Sequence, residues 1–121
     1  MTELKAIAEN YIAAWNETDA AARRALIART WTEAATYVDP MMQGEGHDGI
    51  DAMIAGVQSK YPGFRFTLDS TVDGYANHIR FSWACGPDGA PALVKGTDFG
   101  VVAAGRLQRV TGFLDQVPPG M

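Results

Sequence analysis

Ile54-Ala55-Gly56-Val57-Gln58-Ser59-Lys60-Tyr61-Pro62-Gly63-Phe64-Arg65-Phe66-Thr67-Leu68-Asp69 is the stretch in which the hydrophobic period of the chain changes. Up to Tyr61 the apolar residues recur every three or four positions, with Ile50, Ile54, Val57 and Tyr61 on one stripe of a helix expected from about Asp48. Pro62-Gly63 ends it. Phe64, Phe66 and Leu68 then alternate with Arg65, Thr67 and Asp69, the two-residue period of a strand with one buried face.

Upstream of the switch the pattern is helical. Leu4, Ile7, Ala8, Tyr11, Ile12 and Trp15 share one face of a helix over roughly residues 3 to 16. Asn16-Glu17-Thr18-Asp19 breaks the pattern, and Thr18 or Asp19 is the expected N-cap of a second helix whose Ala22, Leu26, Ile27, Thr30 and Trp31 share a face. Thr36 to Asp39 reads as a short strand stopped by Pro40, and Gly44-Glu45-Gly46 as a connection to the third helix.

Downstream, Asp73-Gly74 separates the first long strand from a second, in which Ile79, Phe81, Trp83 and Cys85 alternate with His78, Arg80, Ser82 and Ala84. Pro87-Asp88-Gly89 turns the chain into Leu93–Val102, and Ala103-Ala104-Gly105 into Leu107–Val117, with a loose tail from Pro118. The order predicts one α+β domain over residues 1–121. Three N-terminal helices pack on one face of a curved antiparallel sheet of four long strands plus one short strand.

Composition narrows the function. With 121 residues the chain suits a single core, and its 47% apolar and 20% charged content is that of a globular domain. The net charge is -4 and only Arg23-Arg24 are adjacent basic residues, so nucleic acid is not an expected partner. No apolar run reaches the length of a membrane span and the N-terminus lacks a basic, apolar leader, so the expectation is a soluble cytoplasmic protein with no membrane partner. Cys85 is the lone cysteine, expected as a small apolar strand residue, and His47 and His78 lie far apart, so neither a disulfide nor a metal site is expected.

Three polar residues stand inside apolar stretches: Tyr11, Asp39 and Asp98. A buried carboxylate costs several kcal/mol, roughly, unless it is paired, hydrogen-bonded or protonated. Each residue has a structural reading beside a functional one. Tyr11 serves either as a core aromatic or as a hydrogen-bond donor in a pocket. Asp39 before Pro40 is a turn-former or a base. Asp98 interrupts a strand, where Asp is disfavoured, and is either a pocket group or a structural partner of Tyr11 or of a helix end. His78 and Arg80 face solvent or a dimer surface if the Ile79–Phe81–Trp83 face meets the helices; otherwise Arg80 enters the cavity as a partner for a substrate carboxylate or for Asp98.

Tyr11-x-Ala-Ala-x-Asn16-x-x-Asp19, the strand ending in Asp39-Pro40, and Gly96-Thr97-Asp98-Phe99 before Gly105-Arg106-Leu107 together resemble the cone-shaped NTF2-like superfamily. Within it the chain is similar to the SnoaL-like proteins and ketosteroid isomerase over residues 3 to 117. The resemblance implies Tyr11 and protonated Asp98 as donors to an enolate oxygen and Asp39 as the base moving a proton α to a carbonyl, roles for which ketosteroid isomerase is itself the worked example. Similarity to polyketide cyclases implies instead Asp98 as acid and base. Both stay open, as does a ligand-binding domain without chemistry. The implied substrate or ligand is an apolar or polycyclic small molecule, with Trp15, Met42, Arg80 and Trp83 expected to contact it. No cofactor is implied, and a homodimer through the sheet is the expected assembly.

Overall fold

The computed structural model describes residues 2–118. Helix α1 spans Thr2–Asn16, α2 Ala20–Thr30 and α3 Gly46–Lys60. The strands are β1 Trp31–Val38, β2 Gln43–Glu45, β3 Phe64–Leu68, β4 Asp73–Tyr75, β5 His78–Pro87, β6 Val94–Ala103 and β7 Arg106–Gln116. They form one sheet in the order β2-β1-β7-β6-β5-β3, with β4 also paired to β5. Of the tail expected from Pro118 onward, residues 119–121 lie outside the described residues.

The stripe of α1 is inward: Leu4, Ile7, Ala8, Tyr11, Ile12 and Trp15 are all buried. Burial of each large apolar side chain contributes roughly 1.5–3 kcal/mol. Asn16 ends the helix and ties it to the sheet. Its amide nitrogen donates to the Phe66 carbonyl at 2.9 Å and its oxygen accepts from the Phe66 N–H at 2.8 Å. Asp19 caps α2, accepting from the Ala22 N–H at 2.9 Å. Between α2 and α3 the buried Arg23 guanidinium donates to Asp51 at 2.7 Å.

The α+β class is as the periodicity predicts, but the sheet has seven strands where the spacing predicts five, and it is mixed. Trp31, expected on the face of α2, opens β1, which pairs in parallel with β7. Its extended backbone is held by a strand distant in sequence, which no local period reveals. Two further short strands occupy segments read as connections. Gln43–Glu45 pairs with β1, and Asp73–Tyr75 forms a hairpin with β5. Register shifts at Lys95/Gly96 and Val101/Val102 flank the centre of β6. Such irregularities bend a strand, and this bend curves the sheet around the helices.

Candidate active site

β5, β6 and β7 present alternate residues to the helices. Asp98 lies in the middle of this concave surface, opposite Phe81 on β5 and Gly112 on β7. It is 1% exposed. The Tyr11 hydroxyl, brought over the sheet by α1, donates to its Oδ2 at 2.5 Å. Its Oδ1 is buried with no hydrogen-bond partner among the described residues.

Burial pushes the Asp98 carboxyl up to about 6. The Tyr11 hydroxyl and the Trp83 indole pull it down, the indole without reaching hydrogen-bond geometry, while the charges of Asp39 and Asp115 raise it further. Burial, then the charge of Asp98, also pushes Tyr11 well above the ordinary tyrosine range. Tyr37 is raised in the same way, first by burial and then by Asp98 and Asp39.

Gly112 is what leaves Asp98 room. A Cβ there would lie 2.8 Å from Asp98 Oδ1, 3.2 Å from the Asp39 Cβ and 3.2 Å from the Tyr37 hydroxyl oxygen. Any larger residue would push the carboxyl off its position. Gly96 does the same for Trp83, whose ring passes where a Cβ would stand.

Asp39 sits just past β1 and its carboxylate is fully engaged. Oδ2 accepts from the Tyr37 hydroxyl at 2.6 Å, and Oδ1 accepts from the backbone N–H groups of Met41 at 2.7 Å and Met42 at 3.0 Å. This is the turn-forming arrangement that Asp before proline suggests, and it shapes the Met41-Met42 rim.

Tyr11, Trp15, Asp39, Met42, Trp83 and Asp98 all line one cavity between the helices and the sheet, of about 70 Å³. Arg80 does not reach it. It follows Ile79 and precedes Phe81, both buried, so it points from the opposite face, where it pairs with Asp73 at 3.0 Å. The expectation that Arg80 contacts ligand in this cavity is therefore corrected by strand alternation.

Tyr37, Cys85 and Gly112 join the site without being singled out for it by the sequence. Tyr37 shares the face of Asp39 by its two-residue spacing, and an interior strand glycine marks a close approach, so both carry a signal. Cys85 lines the cavity as a buried thiol that burial pushes up to about 11, an apolar group and not a nucleophile. Among the described residues no group of three or more His, Cys, Asp or Glu is positioned to hold a metal, and no helix is long and apolar enough to cross a membrane.

The sequence matches the SnoaL-like domain family over residues 8–110. A SnoaL-like family protein from Agrobacterium tumefaciens, provisionally assigned as an isomerase, is 46% identical; the match covers 95% of this chain and 99% of that one, with a TM-score of 0.90. A hypothetical protein of ketosteroid isomerase-like fold from Catenulispora acidiphila, solved in complex with trimethylamine, is 19% identical over 88% of this chain and 82% of that one, at a TM-score of 0.72. A provisionally assigned SnoaL-like polyketide cyclase from Jannaschia is 15% identical over 90% and 85%, at 0.67. The last two share the fold. No functionally curated protein matches the chain.

Proposed function

The chain belongs to the SnoaL-like domain family, and on that premise we propose that its cavity binds an apolar carbonyl compound and moves a proton α to the carbonyl, with Asp98 as acid and base. The observation that carries this reading is the Asp98 carboxyl itself: buried, aligned by Tyr11, with Oδ1 unpartnered and its pKa raised to about 6. A base near the working pH takes and returns a proton efficiently.

In this mechanism Asp98 takes the α-proton and the C–H electron pair moves into the carbonyl, leaving an enolate. The buried indole N–H of Trp15, which has no partner among the described residues, supports the role of donor to that oxygen. In a β,γ-unsaturated ketone that enolate is conjugated with the neighbouring double bond, and protonated Asp98 returns the proton to the γ-carbon as the carbonyl re-forms and the double bond moves to the α,β position, so atoms and charge balance without a cofactor. Asp39, with three donors on its carboxylate, is better suited to holding Tyr37 and the rim than to accepting a proton from carbon.

The test is a panel of apolar β,γ-unsaturated ketones, with isomerisation followed by the absorbance of the conjugated product and α-exchange in deuterated water by NMR. Turnover should fall about 10²–10⁴-fold in Asp98→Asn. No isomerisation or exchange above buffer across the panel overturns the enzyme reading. Saturable quenching of tryptophan fluorescence by the same ketones would then leave a ligand-binding domain, a reading favoured by the engagement of Asp39.

The outer face of the sheet supports association with a second copy. Phe99 and Phe113 are 43% and 54% exposed there, edge to face with ring centroids 5.7 Å apart, beside the Arg80–Asp73 pair. Two aromatics flanked by both signs of charge make a self-complementary patch. Sedimentation equilibrium at micromolar concentration should find a dimer; a monomer for the wild type overturns this assembly.

A further inference from the structure

The cavity is asymmetric in charge. Tyr37, Trp15, Phe66 and Trp83 form a continuous aromatic wall, with successive ring centroids 5.7, 5.3 and 5.5 Å apart. Asp98 and Asp39 also line the space, and among the described residues no Lys, Arg or His does. Aromatic faces are electronegative and attract a compact cation. A carboxylate out of water needs a proton or an opposite charge, and Asp98 Oδ1 has no partner among the described residues.

These features rank three kinds of ligand. An anion would meet two carboxylates with no cation to offset them. An uncharged carbonyl compound offers Oδ1 its carbon-bound α-proton but no opposite charge. An ammonium group supplies the missing opposite charge and lies against the aromatic wall.

We propose that the ligand of this cavity carries a compact protonated or quaternary amine, enclosed by Tyr37, Trp15, Phe66 and Trp83 with its charge toward Asp98. The inference rests on the reading that this cavity is the ligand site, and it adds a cationic group to the carbonyl compound proposed for it. The titratable groups facing Asp98 are Tyr11 from α1 and Tyr37 and Asp39 from β1 and its end, while Asp115, on the outer face of β7, acts on it only through its charge. Tyr61 and Cys85 lie further along the lining. None brings a positive charge.

The test is calorimetric titration with choline and with 3,3-dimethylbutan-1-ol, which has the same shape with carbon in place of the charged nitrogen. Choline should bind about tenfold more tightly at pH 7. Its advantage should shrink toward pH 5 as Asp98 takes up a proton. Choline-induced shifts of the Trp15 and Trp83 indole N–H signals would locate it in the cavity without a variant, and Asp98→Asn should reduce choline to the level of the alcohol. Equal or tighter binding of the alcohol overturns the cation preference while leaving the cavity as a ligand site. Binding of neither overturns both, and choline affinity unchanged in a folded Asp98→Asn protein overturns the assignment to Asp98.

Discussion

The two faces of β5, β6 and β7 are made by alternate residues of the same strands, yet they handle polar groups in opposite ways. On the outer face Arg80 pairs with Asp73, the Ser82 and Thr97 hydroxyls lie 2.9 Å apart, and Thr97 donates to Asp115 at 2.7 Å. On the inner face Asp98, the next residue after Thr97, has one donor and one unpartnered oxygen under aromatic cover. Residue type is therefore a poor guide to chemistry here. Asp115 and Asp98 differ in what surrounds them: water and a hydroxyl in one case, dry rings and a glycine in the other.

The difference between the faces is broken most severely at Asp98. Its folded pKa of about 6 lies above the ordinary 3.8, so the folded protein holds a proton that the unfolded chain releases. That contribution to stability is complete below the unfolded pKa and is lost as pH rises through the folded one. Between pH 4 and pH 7 the stability of the wild type should therefore fall, relative to Asp98→Asn, by about 2 kcal/mol in urea unfolding. A pH-independent difference between the two proteins would show that Asp98 is not on a dry face.

Gly112→Val should cost about 1–3 kcal/mol by forcing a Cβ against Asp98 and Tyr37. Thr111→Val, one residue away, should change much less. Equal urea midpoints for the two variants would contradict the close approach at Gly112.

Tyr11→Phe removes the hydroxyl that donates to Asp98, costing about 1 kcal/mol and moving the Asp98 pKa further upward, since the lost hydrogen bond favoured the charged form. A carbon-detected NMR titration of the Asp98 carboxyl measures it, and a downward movement would contradict the arrangement. The smallest effect belongs to the outer face. Arg80→Ala should cost less than about 1 kcal/mol and leave ligand affinity in the cavity unchanged, because the exposed pair with Asp73 is solvated. A large loss of affinity in the same calorimetric titration would return Arg80 to the site.

Much of the fold is legible in the spacing of residues along the chain. The stripe from Leu4 to Trp15 and the alternation from Ile79 to Cys85 point inward as their periods require, because neighbouring positions on one face bury together. Trp31 escapes this logic because the stripe of α2 runs on into it. Its strand conformation depends on parallel pairing with β7, with Leu107 as its partner. Arg80 has two readings in the sequence, and strand alternation beside buried Ile79 and Phe81 decides which face it takes.

By itself the sequence determined the switch from a helical to a strand period after Tyr61, the order of the elements, and which residues share a face, since these follow from local spacing. The tertiary structure alone decided that Tyr11 meets Asp98, that Asp39 is held by Tyr37 and the Met41-Met42 backbone, and that Gly112 leaves one carboxylate oxygen without a partner. Hydrogen-bond partners and the exclusion of water are set by groups far apart in the chain, and a one-dimensional pattern does not record them.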